Sequence, residues 1–125
     1  MKGILVKTTG EIREVELKKP LYYSLRKTIG GTAKRTYAPS KLEDPFCMLV
    51  DSETCCKTLP ANPIGNYLYL PIGDNRKLVE GDVIIMKDVM TSHGLDIGGL
   101  DDHDIEELAL LLDDVMQELE KKEAG

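Results

Sequence analysis

Residues 2–31 read KGILVKTTGEIREVELKKPLYYSLRKTIGG, and the order of elements in this stretch decides the fold class. Gly3–Thr8 and Ile12–Leu17 are short runs rich in β-branched residues, and Thr9-Gly10 between them supplies a tight turn, so residues 2–17 predict a β-hairpin. Ile12, Val15 and Leu17 do not alternate cleanly, which leaves the register open. Pro20 suits a helix start because the first turn does not need its missing N–H. Leu21, Leu25 and Ile29 recur at helical spacing, and Gly30-Gly31 ends the run where a left-handed residue is tolerated. The spacing therefore predicts an amphipathic helix over 20–29, with Arg26 and Lys27 outward.

Further along, 32–38 predicts a third strand, and Phe46–Val50 with Thr54–Leu59 a second hairpin around Asp51-Ser52-Glu53. Asn66–Leu70 fits strand or helix equally. Val83–Met86 is a continuous apolar run expected of a buried strand. Residues 89–100, with Gly94, Gly98 and Gly99, predict a Gly-rich linker after a core domain of residues 1–88. The segment 101–125 predicts an acidic helix with apolar positions at Ile105, Leu108, Leu112, Val115 and Leu119. Asp102 or Asp104 can cap it, and Asp104 with Glu107 has capping-box spacing. A hairpin, a helix, further strands and a closing helix make an α+β class with a small mixed or antiparallel sheet.

Charge is distributed unevenly. Residues 17–42 hold seven cations and no acid, whereas Asp101–Glu123 holds ten acids and two lysines, within a chain of net charge −6. An acidic chain with an acidic tail does not suit general binding to a nucleic-acid polymer, which wants a sustained basic face. No apolar stretch reaches the roughly 20 residues that span a bilayer, so no membrane partner is expected. Strand-like pattern starts at once, without the apolar run of a secretory leader, which leads to a cytoplasmic expectation. Cys47, Cys55 and Cys56 lack CxxC spacing and are expected to be reduced thiols.

The basic segment is the leading candidate site. Gly30 and Gly31 would offer unhindered amides beside Lys27, Lys34 and Arg35, a set suited to phosphate. Tyr37 and Tyr67 would stack on a base, while Asn62 and Asn66 in LPANPIGN would read polar edges. Each has a plainer alternative: Gly30-Gly31 as a helix C-cap, and the asparagines as turn formers. There is also an objection of polarity, since a helix C-terminus repels anions. The GxxxxGK[ST] spacing of a P-loop is absent. His93 and His103 among aspartates match no metal-ligand pattern, so no metal, cofactor or catalytic set is expected. The acidic helix either packs on its own sheet or meets a partner copy.

MKGILVKTTGEIREVEL, the helix ending in IGG, FCMLVDSET, LPANPIGN and VEGDVIIMKD together resemble a family of small phage and mobile-element proteins of unknown function. The resemblance spans residues 1–87; where that family carries NE-G in its second hairpin, this chain has Asp51-Ser52-Glu53-Thr54. Small phage proteins of this size include sponges of immune nucleotide signals, the Sequestin- and Lockin-type inhibitors of Thoeris. A compact domain, a cationic Gly- and Tyr-containing segment and no catalytic set lead to the expectation of such a sponge: a homo-oligomer in an infected bacterial cytoplasm that sequesters a cyclic ADP-ribose or ADP-ribose-conjugate signal without turnover. The competing class is an interaction module whose acidic helix inhibits a host defence factor. A third, a metal-assisted phosphodiesterase, would need the loose His/Asp group.

Overall fold

The computed structural model describes residues 1–35, 41–43, 45–53, 58–69 and 79–124. Its strands are β1 (Lys2–Val6), β2 (Ile12–Glu16), β3 (Ala33–Arg35), β4 (Phe46–Asp51), β5 (Val83–Thr91) and β6 (Gly94–Gly98). Its helices are α1 (Leu21–Ile29), α2 (Pro63–Tyr69) and α3 (Asp102–Ala124). The fold is α+β, and every strand pairing in its six-stranded sheet is antiparallel. The strand order is β2-β1-β5-β4-β3, and β6 also pairs with β5. The 2–17 hairpin forms with Val6 opposite Ile12 and Gly3 opposite Val15, and Gly10 sits in its turn at φ 92°.

Both faces of the sheet are covered, which explains the unbroken apolar runs of the central strands. Ile4, Val6, Met48, Val83 and Ile85 face Ile64 and Leu68 of α2 and Leu108, Leu112 and Val115 of α3. Leu5, Cys47, Leu49, Ile84 and Met86 face Leu25 of α1. The register puzzle of β2 resolves the same way: Ile12 packs on the α3 side and Val15 on the α1 side, so its apolar residues serve two cores.

The expected linker is not one. Residues 89–100 continue β5, turn at Gly94 with φ 109°, and return as β6, with Met90 opposite Leu95. Its glycines are structural: a Cβ at Gly98 would strike Val89, and one at Gly99 would strike Met1. The 1–88 boundary thus falls inside β5, and α3 packs on the sheet as part of the same body. The ambiguous 66–70 stretch is helical as far as Tyr69. Residues 54–57, the first part of the expected partner strand for 46–50, lie outside the described residues, as do Cys55 and Cys56.

The start of α3 is fixed by a capping box one turn upstream of the Asp104–Glu107 pair read from sequence. Asp104 N–H donates to Asp101 Oδ1 at 2.8 Å, and Asp101 N–H donates to Asp104 Oδ2 at 3.0 Å. Lys87 of β5 donates to the same Asp104 oxygen at 2.7 Å, tying helix to sheet. Burial pushes the Asp104 carboxyl up, but the Lys87 ammonium and the Asp101 amide outweigh it and hold the group below its usual range.

Candidate functional site: a cationic cleft on helix α1

The basic segment does not converge as the sequence suggested. Lys34 pairs with Val50 and Arg35 with Leu49 across the β3–β4 ladder. Directly opposed residues share a face, and successive residues alternate. Val50 packs on the α3 side and Leu49 on the α1 side, so Lys34 and Arg35 point to opposite faces of the sheet. Arg35 is moreover engaged: its Nε donates to Asp88 Oδ1 at 2.8 Å. Cys47 lies beside that pair, and its thiol is pushed up to about 12, chiefly by burial and then by Asp88. Such a thiol stays protonated and unreactive.

Gly30 and Gly31 serve the helix end. Gly30 takes the left-handed C-cap at φ 89°, and its N–H donates to the Arg26 carbonyl at 2.8 Å. Gly31 is buried, and a Cβ there would collide with the buried Asp51 carboxylate. A carboxylate against Gly31 is a poor neighbour for a phosphate. Tyr37 lies outside the described residues.

The asparagines build the fold. Asn62 is fully buried; its Nδ2 donates to the carbonyls of Val6 at 2.9 Å and Gly81 at 3.0 Å, and its Oδ1 caps α2 by accepting from Gly65 N–H at 3.0 Å. Asn66 closes a pair of bonds with Val79, donating to its carbonyl at 3.1 Å and accepting from its N–H at 2.6 Å. Both side chains spend their polar atoms on backbone, as the turn-former reading had it. Tyr67 packs against the α3-side core, with the Lys41 ammonium 5.8 Å from its ring centre.

What the structure does bring together lies along one side of α1 and the segment that precedes it. Glu16, Lys18, Lys19, Pro20, Tyr23 and Lys27 line a cleft of about 420 Å³. No ion pair involving Lys18, Lys19 or Lys27 occurs among the described residues, whereas Glu16 is held by the N-terminal ammonium at 2.8 Å. Tyr23 is 63% exposed, enough for a ligand to stack on its ring. Among the described residues no side chain caps the first turn of α1, and no acid stands in that turn. Lys18 and Lys19 precede the helix N-terminus, where the dipole assists an anion, whereas Lys27 stands in the last turn and reaches the cleft along the side of the helix.

Two hydroxyls in the cleft are committed to scaffolding. Ser24 Oγ donates to the Lys18 carbonyl at 2.7 Å and accepts from the Lys18 N–H at 2.9 Å, which pins the Lys18-Lys19 segment against the helix. Thr28 Oγ1 donates to the Ser24 carbonyl at 2.8 Å. The cleft therefore offers ammonium groups and an aromatic face, beside a Glu16 carboxylate already engaged by the N-terminal ammonium. Lys18, Lys19 and Tyr23 lay within the basic run of the sequence, but no motif marked them, since what distinguishes them from Lys34 is the fold-back of residues 17–24.

Elsewhere, ligand atoms of His103, Asp104 and Glu107 lie within 4.8 Å of one another, though Asp104 already holds Lys87. His93 belongs to the β5–β6 turn and stands apart from that group in the chain. Among the described residues, no helix is long and apolar enough to cross a membrane. No protein-family model, curated protein or solved structure matches this chain.

Proposed function

We propose that this protein binds a phosphate-bearing nucleotide in the α1 cleft and holds it without turning it over. The observation that carries the proposal is the convergence of three lysines lacking ion-pair partners among the described residues with an exposed tyrosine ring on one cleft. Lys18, Lys19 and Lys27 would take the phosphates and Tyr23 the base; Lys27 is the member shared with the site read from sequence. Ammonium groups suit this role as mobile point charges, and a ring stack adds about 1–3 kcal/mol per base. Retention without turnover is supported by the state of the Ser24 and Thr28 hydroxyls, which give their protons to backbone carbonyls. In line with the expectation of a nucleotide sponge, the ligand class is a cyclic ADP-ribose or ADP-ribose conjugate, and the role is sequestration of an immune signal by a phage-type protein.

Thermal melting against cyclic ADP-ribose isomers, ADP-ribose conjugates and cyclic dinucleotides tests this. A ligand at 100-fold above its Kd stabilises the native state by about 2.7 kcal/mol, a shift of several degrees. The shift is expected to vanish in Lys18→Gln/Lys19→Gln/Lys27→Gln and to survive in Lys34→Gln, and the ligand is expected intact after denaturation. Absence of any shift, or a cleaved ligand, overturns the proposal. A second reading, docking of the acidic helix on a host protein, draws on the exposed Leu110 of α3.

A further inference from the structure

The outer faces of α1 and α3 carry matching patterns of opposite sign. On α3, Leu110 is 72% exposed, and the positions three and four residues to either side, Glu106, Glu107, Asp113 and Asp114, are all acidic and exposed. In a helix those four positions ring the central side chain. None of the four has an ion-pair partner among the described residues; Asp113 accepts only from the Gln117 amide, at 3.2 Å. On α1, Tyr22 and Tyr23 are 54% and 63% exposed and meet edge to face, with ring centres 6.0 Å apart. Arg26 and Lys27 stand one turn beyond them, and Lys18 and Lys19 line the cleft beside Tyr23. Each surface is an apolar centre within a charged rim, the anatomy of a protein interface.

We infer that the Leu110 face of one copy docks on the Tyr22–Tyr23 face of a second copy. Leu110 seats between the tyrosines, and the acids around it meet the α1 cations. A second copy is the occupant because the chain itself holds both complementary surfaces, and the charges named on each form no ion pair among the described residues. The two faces lie on opposite sides of the sheet, since α1 packs on one core and α3 on the other. Such a contact is heterologous: each copy uses one face for each neighbour, so copies add head to tail into a ring or an open stack. The docked acids cover the α1 cleft, so a phosphate ligand and a neighbouring copy compete for the same lysines. That competition, unlike the docking itself, rests on the nucleotide reading.

Sedimentation of the wild-type chain at low and high salt tests the docking. Species larger than a dimer are expected to grow with concentration at low salt and to return to monomer at high salt, where exposed charges are screened. Lys19→Gln/Tyr23→Ala/Lys27→Gln removes the basic face, and Glu106→Gln/Leu110→Ala/Asp113→Gln removes the acidic one. All six side chains are exposed, and circular dichroism checks that both variants fold. Each variant alone is expected to stay monomeric, while their mixture, with one intact interface, yields a one-to-one dimer and nothing larger. A wild-type monomer at low salt overturns the inference and leaves the acidic face to a partner of other sequence. Assembly that survives in either variant overturns it too, pointing instead to a surface such as the exposed Met90–Leu95 pair. If assembly behaves as expected but added inorganic pyrophosphate does not reverse it, the docking stands and the nucleotide reading of the cleft fails.

Discussion

Two sets of polar side chains, one on each side of the sheet, are used in opposite ways. On the α2–α3 side, Asn62, Asn66 and Asp104 are turned inward and spend their polar atoms on backbone groups and one lysine. On the α1 side, Lys18, Lys19 and Lys27 face water in a cleft with no ion-pair partner among the described residues. The chemistry of an asparagine or a lysine does not say which role it plays; the accounting of its partners does. Groups satisfied within the chain hold the fold, and groups left over are available to something else.

Removing Asn62 attacks this contrast where the effect is largest. Asn62→Ala leaves the Val6 and Gly81 carbonyls unpaired in the core and uncaps α2, and is expected to cost about 3 kcal/mol in denaturant unfolding. A loss under 1 kcal/mol would mean that the buried amide is not structural. Gly31→Ala comes next, at about 2 kcal/mol, because the new methyl must displace the Asp51 carboxylate.

The Asp104–Lys87 tie sharpens the comparison through pH. The Asp104 carboxyl is held below its usual range, so the stability it contributes is present above the unfolded carboxylate pKa of about 4 and is lost as pH falls through the lower folded value. Asp104→Asn is expected to cost about 1–2 kcal/mol at neutral pH. The gap between variant and wild type should close as urea midpoints are followed down in pH. A gap that stayed constant would place the Asp104 contribution in the cap geometry alone. The smallest effect belongs to the α1 side: Lys19→Gln or Lys27→Gln should change stability by no more than about 0.5 kcal/mol, as for other exposed residues. A larger loss would show that the cleft lysines also belong to the scaffold.

Much of the fold was legible because local signals agreed with tertiary demands. Thr9-Gly10 marked the first hairpin, the Leu21–Leu25–Ile29 spacing marked α1, and the apolar stripe marked α3. The β5–β6 hairpin was hidden because its glycines suggested flexibility, whereas Gly98 and Gly99 are small to let Val89 and Met1 approach. The α3 cap was read one turn late because Asp101, Asp102 and Asp104 all suit an N-terminus, and the backbone alone selects among them.

The candidate site was only partly legible, for a geometric reason. Strand alternation sends the adjacent Lys34 and Arg35 to opposite faces, while the fold-back of residues 17–24 gathers Lys18 and Lys19 with Lys27. Neither consequence is visible until the pairing of β3 with β4 and the seat of α1 on the sheet are known.

The most direct test of the central claim is to follow backbone amide and tyrosine ring resonances by nuclear magnetic resonance while ADP-ribose is added. The account predicts shifts concentrated on residues 18–28, with the Tyr23 ring moved by stacking, and resonances of Asn62 and Asn66 unmoved. Shifts centred on Lys34 or Tyr67, or none at ligand concentrations in the millimolar range, would contradict it.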